Sequence, residues 1–153
     1  MHTNKKLKLT IQYGPDEQRI LSKYYTNNIT LAKTKCFVGD DYELEKLPNG
    51  TERRFHYLPG GGMYISSSIS NDGILNFILT DYQGTWNKVV SENGTLIERY
   101  NLDPWGKRRN TDNGNTNYVP ATFLFDRDYT GHEMLDAHNG SGPAVLIFHF
   151  CFM

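Results

Sequence analysis

Leu7, Leu9, Ile11 and Tyr13 alternate strictly with Lys8, Thr10 and Gln12, the period of two expected of a half-buried β-strand. The alternation returns in Met63-Ile65-Ser67-Ile69, Leu75-Phe77-Leu79 and Leu96-Glu98-Tyr100-Leu102, each with a different set of residues on the opposite face. Between these runs stand Asn49-Gly50, Asp72-Gly73 and Asn93-Gly94, dipeptides that tolerate the positive φ angles of tight hairpins. A hairpin tip is predicted at each. A second set of glycines, Gly62, Gly84 and Gly106, is expected to end the returning strands at the other edge.

The spacing is regular. Gly50 to Gly73 is 23 positions, Gly73 to Gly94 is 21, and Gly62 to Gly84 and Gly84 to Gly106 are 22 each, an internal repeat of about 22 residues. Two strands and two turns fill such a period, and a single hairpin buries its apolar face only by stacking on its neighbours. The prediction is an all-β fold of stacked antiparallel β-hairpins forming a twisted ribbon or partial β-shell, over residues 7 to 125. A less regular segment follows, with one short helix near Glu133 to His138. Composition agrees, because aromatics make up 13% of the chain and alanine occurs only at Ala32, Ala121, Ala137 and Ala144.

Sixteen Lys and Arg against seventeen Asp and Glu leave a formal net charge of −1, so no global field draws in nucleic acid. The run Lys107-Arg108-Arg109 reads as a solvated face. No stretch is long and apolar enough for a membrane span, and Met1 to Lys8 carries charge without the apolar segment of a secretory signal. Cys36 and Cys151 exclude a disulfide framework and leave a single bridge open.

Candidate chemistry is sparse. His132, Glu133 and His138 lack the spacing by which a helical His-Glu-x-x-His places two ligands on one face, so they read as a turn element and no metal site is assigned. Asp126 and Asp128 read as loop solvation, and no Gly-x-Ser-x-Gly elbow is present. No catalytic or cofactor-binding residue and no cofactor is assigned. Trp86 and Tyr100 read as a core pair between neighbouring hairpins, with an exposed aromatic platform as the alternative. The uncharged run Val145 to Phe152 has strong strand propensity, suited to capping a sheet or to aggregation.

Asn49-Gly50-Thr51 recurs as Asn93-Gly94-Thr95, aromatics follow at Phe55, Tyr57, Phe77 and Tyr100, and returning strands close on Asp81-Tyr82-Gln83-Gly84 and Asp103-Pro104-Trp105-Gly106. This pattern resembles the YD repeats of Rhs proteins. Asp103-Pro104-Trp105-Gly106-Lys107-Arg108 resembles the signature that opens the Rhs-associated core, and Tyr129-Thr130-Gly131-His132-Glu133 resembles a later element of that core. Tyr13 to Arg19 looks like a degenerate repeat end, and Pro59-Gly60-Gly61-Gly62 resembles a glycine-rich loop common before the core. The resemblance covers roughly residues 11 to 137. It divides the chain into repeats over 1–106, the start of the core over 81–137 and an atypical tail over 138–153, which departs from the family and looks truncated or frameshifted.

The resemblance implies a structural wall segment of a bacterial shell that encloses or presents a C-terminal toxin, exported or at the cell surface and not an enzyme by itself. Its partners would be the remainder of the shell or the toxin cargo, with self-association through exposed sheet edges. The motif positions carried over are Asp81, Gly84, Asn93, Gly94, Tyr100, Asp103, Pro104, Trp105, Gly106, Thr130, Gly131, His132 and Glu133, none of them catalytic. Two alternatives remain: an adhesive module binding carbohydrate or peptide, and a small effector enzyme whose site gathers His132, Glu133 and the tail.

Overall fold

The computed structural model describes residues 8–26, 28–104, 106, 108–112, 114, 125, 127, 134–135 and 145–146. Its strands are β1 (Lys8–Tyr13), β2 (Arg19–Thr26), β3 (Thr30–Val38), β4 (Tyr42–Lys46), β5 (Glu52–Leu58), β6 (Gly62–Ser67), β7 (Ser70–Thr80), β8 (Trp86–Ser91) and β9 (Leu96–Arg99). These nine form one open sheet in which each strand lies beside the next in sequence. Among the described residues there is no helix, so the all-β architecture of successive hairpins is as the periodicity predicts. The chain divides into two compact units, 1–76 and 77–153, with the boundary inside β7.

One turn design recurs. In Leu47–Thr51, Asp81–Thr85 and Ser91–Thr95 the first residue donates its N–H to the fifth carbonyl at 2.9, 3.0 and 2.9 Å. The glycine in fourth place donates back to the first carbonyl at 3.0, 3.1 and 2.9 Å. That glycine is left-handed each time, with φ of 84°, 80° and 82° at Gly50, Gly84 and Gly94, which completes a type I turn with a glycine bulge. Asn49 Oδ1 accepts from the Thr51 N–H at 2.9 Å and Asn93 Oδ1 from the Thr95 N–H at 3.1 Å, so the Asn-Gly-Thr echo is one hydrogen-bonded device used twice. Asp81 Oδ1 plays the same part toward Gln83 and Thr85. At Gly14–Gln18 the backbone pattern repeats with Glu17, φ 58°, in the glycine's place.

Three expectations are corrected. Asp72-Gly73 is no hairpin tip; the chain turns earlier, at Ser68 and Ile69, and Gly73 lies within β7. At the neighbouring turn Gly60 and Gly61 take the positive φ angles, while Gly62 opens β6. Met134–Leu135, the described part of the expected helix, is not helical but forms β10, paired with β11 (Val145–Leu146) in a separate two-stranded sheet, since an apolar pair facing another apolar pair gains a ladder that an isolated helical turn lacks. The nine-stranded sheet ends at Arg99, followed by an isolated bridge between Leu102 and Arg108, and residues 115–124 of the expected hairpin region lie outside the described residues.

Candidate functional site

In the first unit, cross-strand pairing sorts the side chains of β1–β6 onto two chemically different faces, because directly opposed residues share a face. Ser22 pairs with Lys35, Lys35 with Glu45 and Glu45 with Arg53; Phe37 pairs with Glu43 and Glu43 with Phe55. On this face Ser22, Lys35, Glu43, Glu45, Phe55 and Met63 are all buried. Its centre is a charge lattice. Lys35 Nζ stands 3.3 Å from Glu43 Oε2, Lys33 Nζ stands 3.2 Å from Glu45 Oε2, and Arg53 bonds the other Glu45 oxygen through both Nε and Nη2. Cation–ring contacts border it, with Arg19 4.2 Å from the Phe37 centroid and Lys33 Nζ 4.9 Å from that of Tyr24.

The opposite face is built differently. Val38, Tyr42, His56 and Tyr64 are successive partners across β3, β4, β5 and β6. Their rings form a row, Tyr42 to His56 at 4.7 Å and 61°, His56 to Tyr64 at 6.2 Å and 55°. A second row sets Cys36, Leu44, Arg54 and Ser66 beside it, and a third joins Lys23, Thr34, Lys46 and Glu52. The Lys46 ammonium donates to Glu52 across 2.8 Å, which holds the Glu52 carboxyl below the usual carboxylate range and lifts Lys46 above its own. Arg54 adds a bond to the same carboxylate at 2.9 Å. No side chain of these three rows is buried. Cys36 is a free thiol, half-buried in the middle row.

The second unit holds most motif positions. Trp86 and Tyr100 meet edge to face with centroids 6.3 Å apart, and Trp86 meets Phe125 at 6.2 Å; all three are buried, so the two residues are the core pair expected, although they sit on the two arms of one hairpin, β8–β9, rather than on neighbouring hairpins. Asp103 accepts the Gly106 N–H at 2.9 Å, with Gly106 at φ 79°, so the Asp103-Pro104 segment is a turn. The chain after it returns along Asn101, whose carbonyl accepts the Arg109 N–H at 2.7 Å. Here the solvated-face reading of Lys107-Arg108-Arg109 is corrected. Arg108 is buried, stacked 5.4 Å from the Tyr100 centroid, and donates from Nη2 to the Phe125 carbonyl at 3.3 Å. A planar guanidinium covers a ring and bonds a carbonyl at once, which local charge counting does not anticipate.

Trp105, Thr130, Gly131, His132 and Glu133 lie outside the described residues, as do Asp126, Asp128, His138 and Cys151. Among the described residues no three His, Cys, Asp or Glu side chains converge as a metal would require, and no helix is long and apolar enough to cross a membrane. Sequence reasoning missed the charge lattice. Its signal was like charges two apart, Lys33 and Lys35, followed after Gly39 by Glu43 and Glu45 of opposite sign, the pattern of a hairpin pairing them across strands. Compared with protein-family models, curated proteins and solved structures, the chain matches none.

Proposed function

We propose that this chain is a non-catalytic wall segment of a larger hairpin-repeat shell of the Rhs/YD type. The observation that carries the reading is the repeated turn: Leu47–Thr51, Asp81–Thr85 and Ser91–Thr95 close with the same hydrogen bonds and the same left-handed glycine, between strands that pair strictly in sequence order. A chain built this way extends by adding hairpins, since each unit needs only its neighbours for its ladder. The Asp81-x-x-Gly84 and Asp103-x-x-Gly106 turns are the residues on which the resemblance to YD repeats rests. A shell of this kind would hold a toxic domain or present a contact surface.

Sequencing the reading frame with its flanks tests the proposal. Further Asx-x-x-Gly hairpins upstream and a remnant of the core downstream are expected. A freestanding gene with neither overturns it.

A further inference from the structure

We propose that the first unit docks on an anionic lipid bilayer, with the hairpin tips at Ile29 and Ile69 entering the interface and the cations behind them meeting the headgroups. The inference goes beyond the wall reading and does not rest on it.

Three observations carry it. The first is what stands at the tips. In a sheet whose strands pair in sequence order, alternate turns fall at the same end of the strands, so the β2–β3, β4–β5 and β6–β7 tips share one end. Turns select Gly, Pro, Asn, Asp and Ser, and Pro48-Asn49-Gly50 obeys. Its two neighbours instead raise a β-branched apolar side chain, Ile29 at 84% exposed and Ile69 at 80%. Asn28, left-handed at φ 62°, turns the chain immediately before Ile29. Exposed apolar residues scattered singly are ordinary, but two that replace turn formers at one end of a sheet are not scattered.

The second observation is charge. In the half of the strands behind these tips stand Lys8, Lys23, Lys33, Lys46, Arg53 and Arg54, against Glu45, Glu52 and Asp72. The far half carries Asp16, Glu17, Asp40, Asp41 and Glu43 against Arg19 and Lys35, so a surplus of three positive charges at one end is matched by a surplus of three negative charges at the other. β3 spans nine residues, and at the usual rise its ends are roughly 25–30 Å apart, well beyond the ~8 Å over which exposed charges act in physiological salt. The tip end therefore acts as a local cation although the whole chain is at −1, and the acidic end turns away from an anionic surface.

The third observation is the rings beside those cations. Tyr24 and Tyr25 lie on the same half of β2, with Lys33 Nζ 4.9 Å from the first centroid and Lys8 Nζ 5.5 Å from the second. Tyrosine is a side chain that settles at headgroup depth, and a lysine stem reaches from there to lipid phosphate. Apolar tips backed by rings and cations follow the order of acyl chains, interface and headgroups across a leaflet. A soluble polyanion such as nucleic acid would use the cations but leave both isoleucines in water, which favours the bilayer as the partner.

The test is cosedimentation of the full chain with vesicles of phosphatidylcholine alone and of phosphatidylcholine with about a quarter phosphatidylserine, read against a vesicle-free control. Binding to the anionic vesicles is expected, about 10-fold weaker on the neutral ones and about 10-fold weaker for Ile29→Ser combined with Ile69→Ser. Val38→Thr, at the acidic end and 64% exposed, should bind as the parent chain does. Where circular dichroism shows that the double variant does not fold, Ile69→Trp takes its place, and its added fluorescence should shift to the blue on anionic vesicles. No binding to anionic vesicles, equal binding to neutral ones, undiminished binding by the folded double variant, an unshifted Ile69→Trp spectrum or an equal loss in Val38→Thr would overturn the proposal. So would tighter binding of a thymidylate hexamer than of anionic vesicles, which would make this end a nucleic-acid site.

Discussion

The ring of Tyr64 on β6 lies over Gly73 on β7, so closely that a Cβ built at position 73 would stand 2.0 Å from both Cζ and Oη. Gly73 is therefore required for the space above it, not for a turn, and it is absent from the glycines with positive φ. The aromatic covers the backbone that the missing side chain leaves open.

Gly73→Ala should force Tyr64 out of its position and destabilise the first unit by about 1–3 kcal/mol, the usual cost of overpacking. Added to Tyr64→Ala, the same change should cost much less than alone, because the obstacle is gone. Urea denaturation of the four variants in a cycle measures the coupling; additive effects would contradict the contact.

Glu17→Gly should stabilise the chain by roughly 0.5–1 kcal/mol, the left-handed strain relieved less the backbone entropy that glycine adds to the unfolded state. Glu17 holds φ 58° in the turn position that Gly50, Gly84 and Gly94 fill elsewhere. Gly50→Ala, in open space but at φ 84°, should destabilise by about 1 kcal/mol, so the two substitutions shift the thermal midpoint in opposite directions.

Removing one side of the buried lattice should cost more than removing both. Lys35→Met leaves Glu43, 2% exposed, without this cation at a cost of about 3–5 kcal/mol, whereas Lys35→Met with Glu43→Leu should recover most of that loss. Chemical denaturation of the single and double variants decides it, and a double variant as damaged as the sum would show that the two charges act separately.

Trp86→Ala should cost about 3–5 kcal/mol, since it removes the ring that joins Tyr100 to Phe125. Arg108→Met, which keeps a long apolar stem over Tyr100 but loses the bond to the Phe125 carbonyl, should cost about 1–3 kcal/mol. A surface arginine would show no change in the denaturation midpoint.

Glu52 sets an acid dependence with a definite sign. Its carboxyl is lowered by the hydrogen bond from Lys46 and by the charge of that ammonium, so the stabilisation is complete above the unfolded-state value and is lost as pH falls through the folded one. An NMR titration should place the Glu52 midpoint below that of an unfolded-chain glutamate, and Lys46→Met should move it up.

The periodicity of Leu9, Ile11 and Tyr13 and the Asn-Gly and Asp-x-x-Gly turns are local facts, and local chemistry decides them: alternation follows the pleat, and left-handed positions select glycine. Strand identity, hairpin order and the Trp86–Tyr100 pair were therefore legible in the residues. Asp72-Gly73 misled because glycine serves two needs, a positive φ and an absent side chain, and only the ring of Tyr64 across the strand distinguishes them. The burial of Lys35, Glu43, Glu45 and Arg108 was equally out of reach, since charged groups enter a core only when tertiary contacts pair or stack them. Local residue chemistry was enough for the alternation of the strands and for the Asn49-Gly50, Asn93-Gly94 and Asp81-x-x-Gly84 turns, but not for the turn at Ser68 and Ile69. Which face of the sheet is closed and which stays open to solvent came only from the packing, because burial depends on what lies opposite each residue in space.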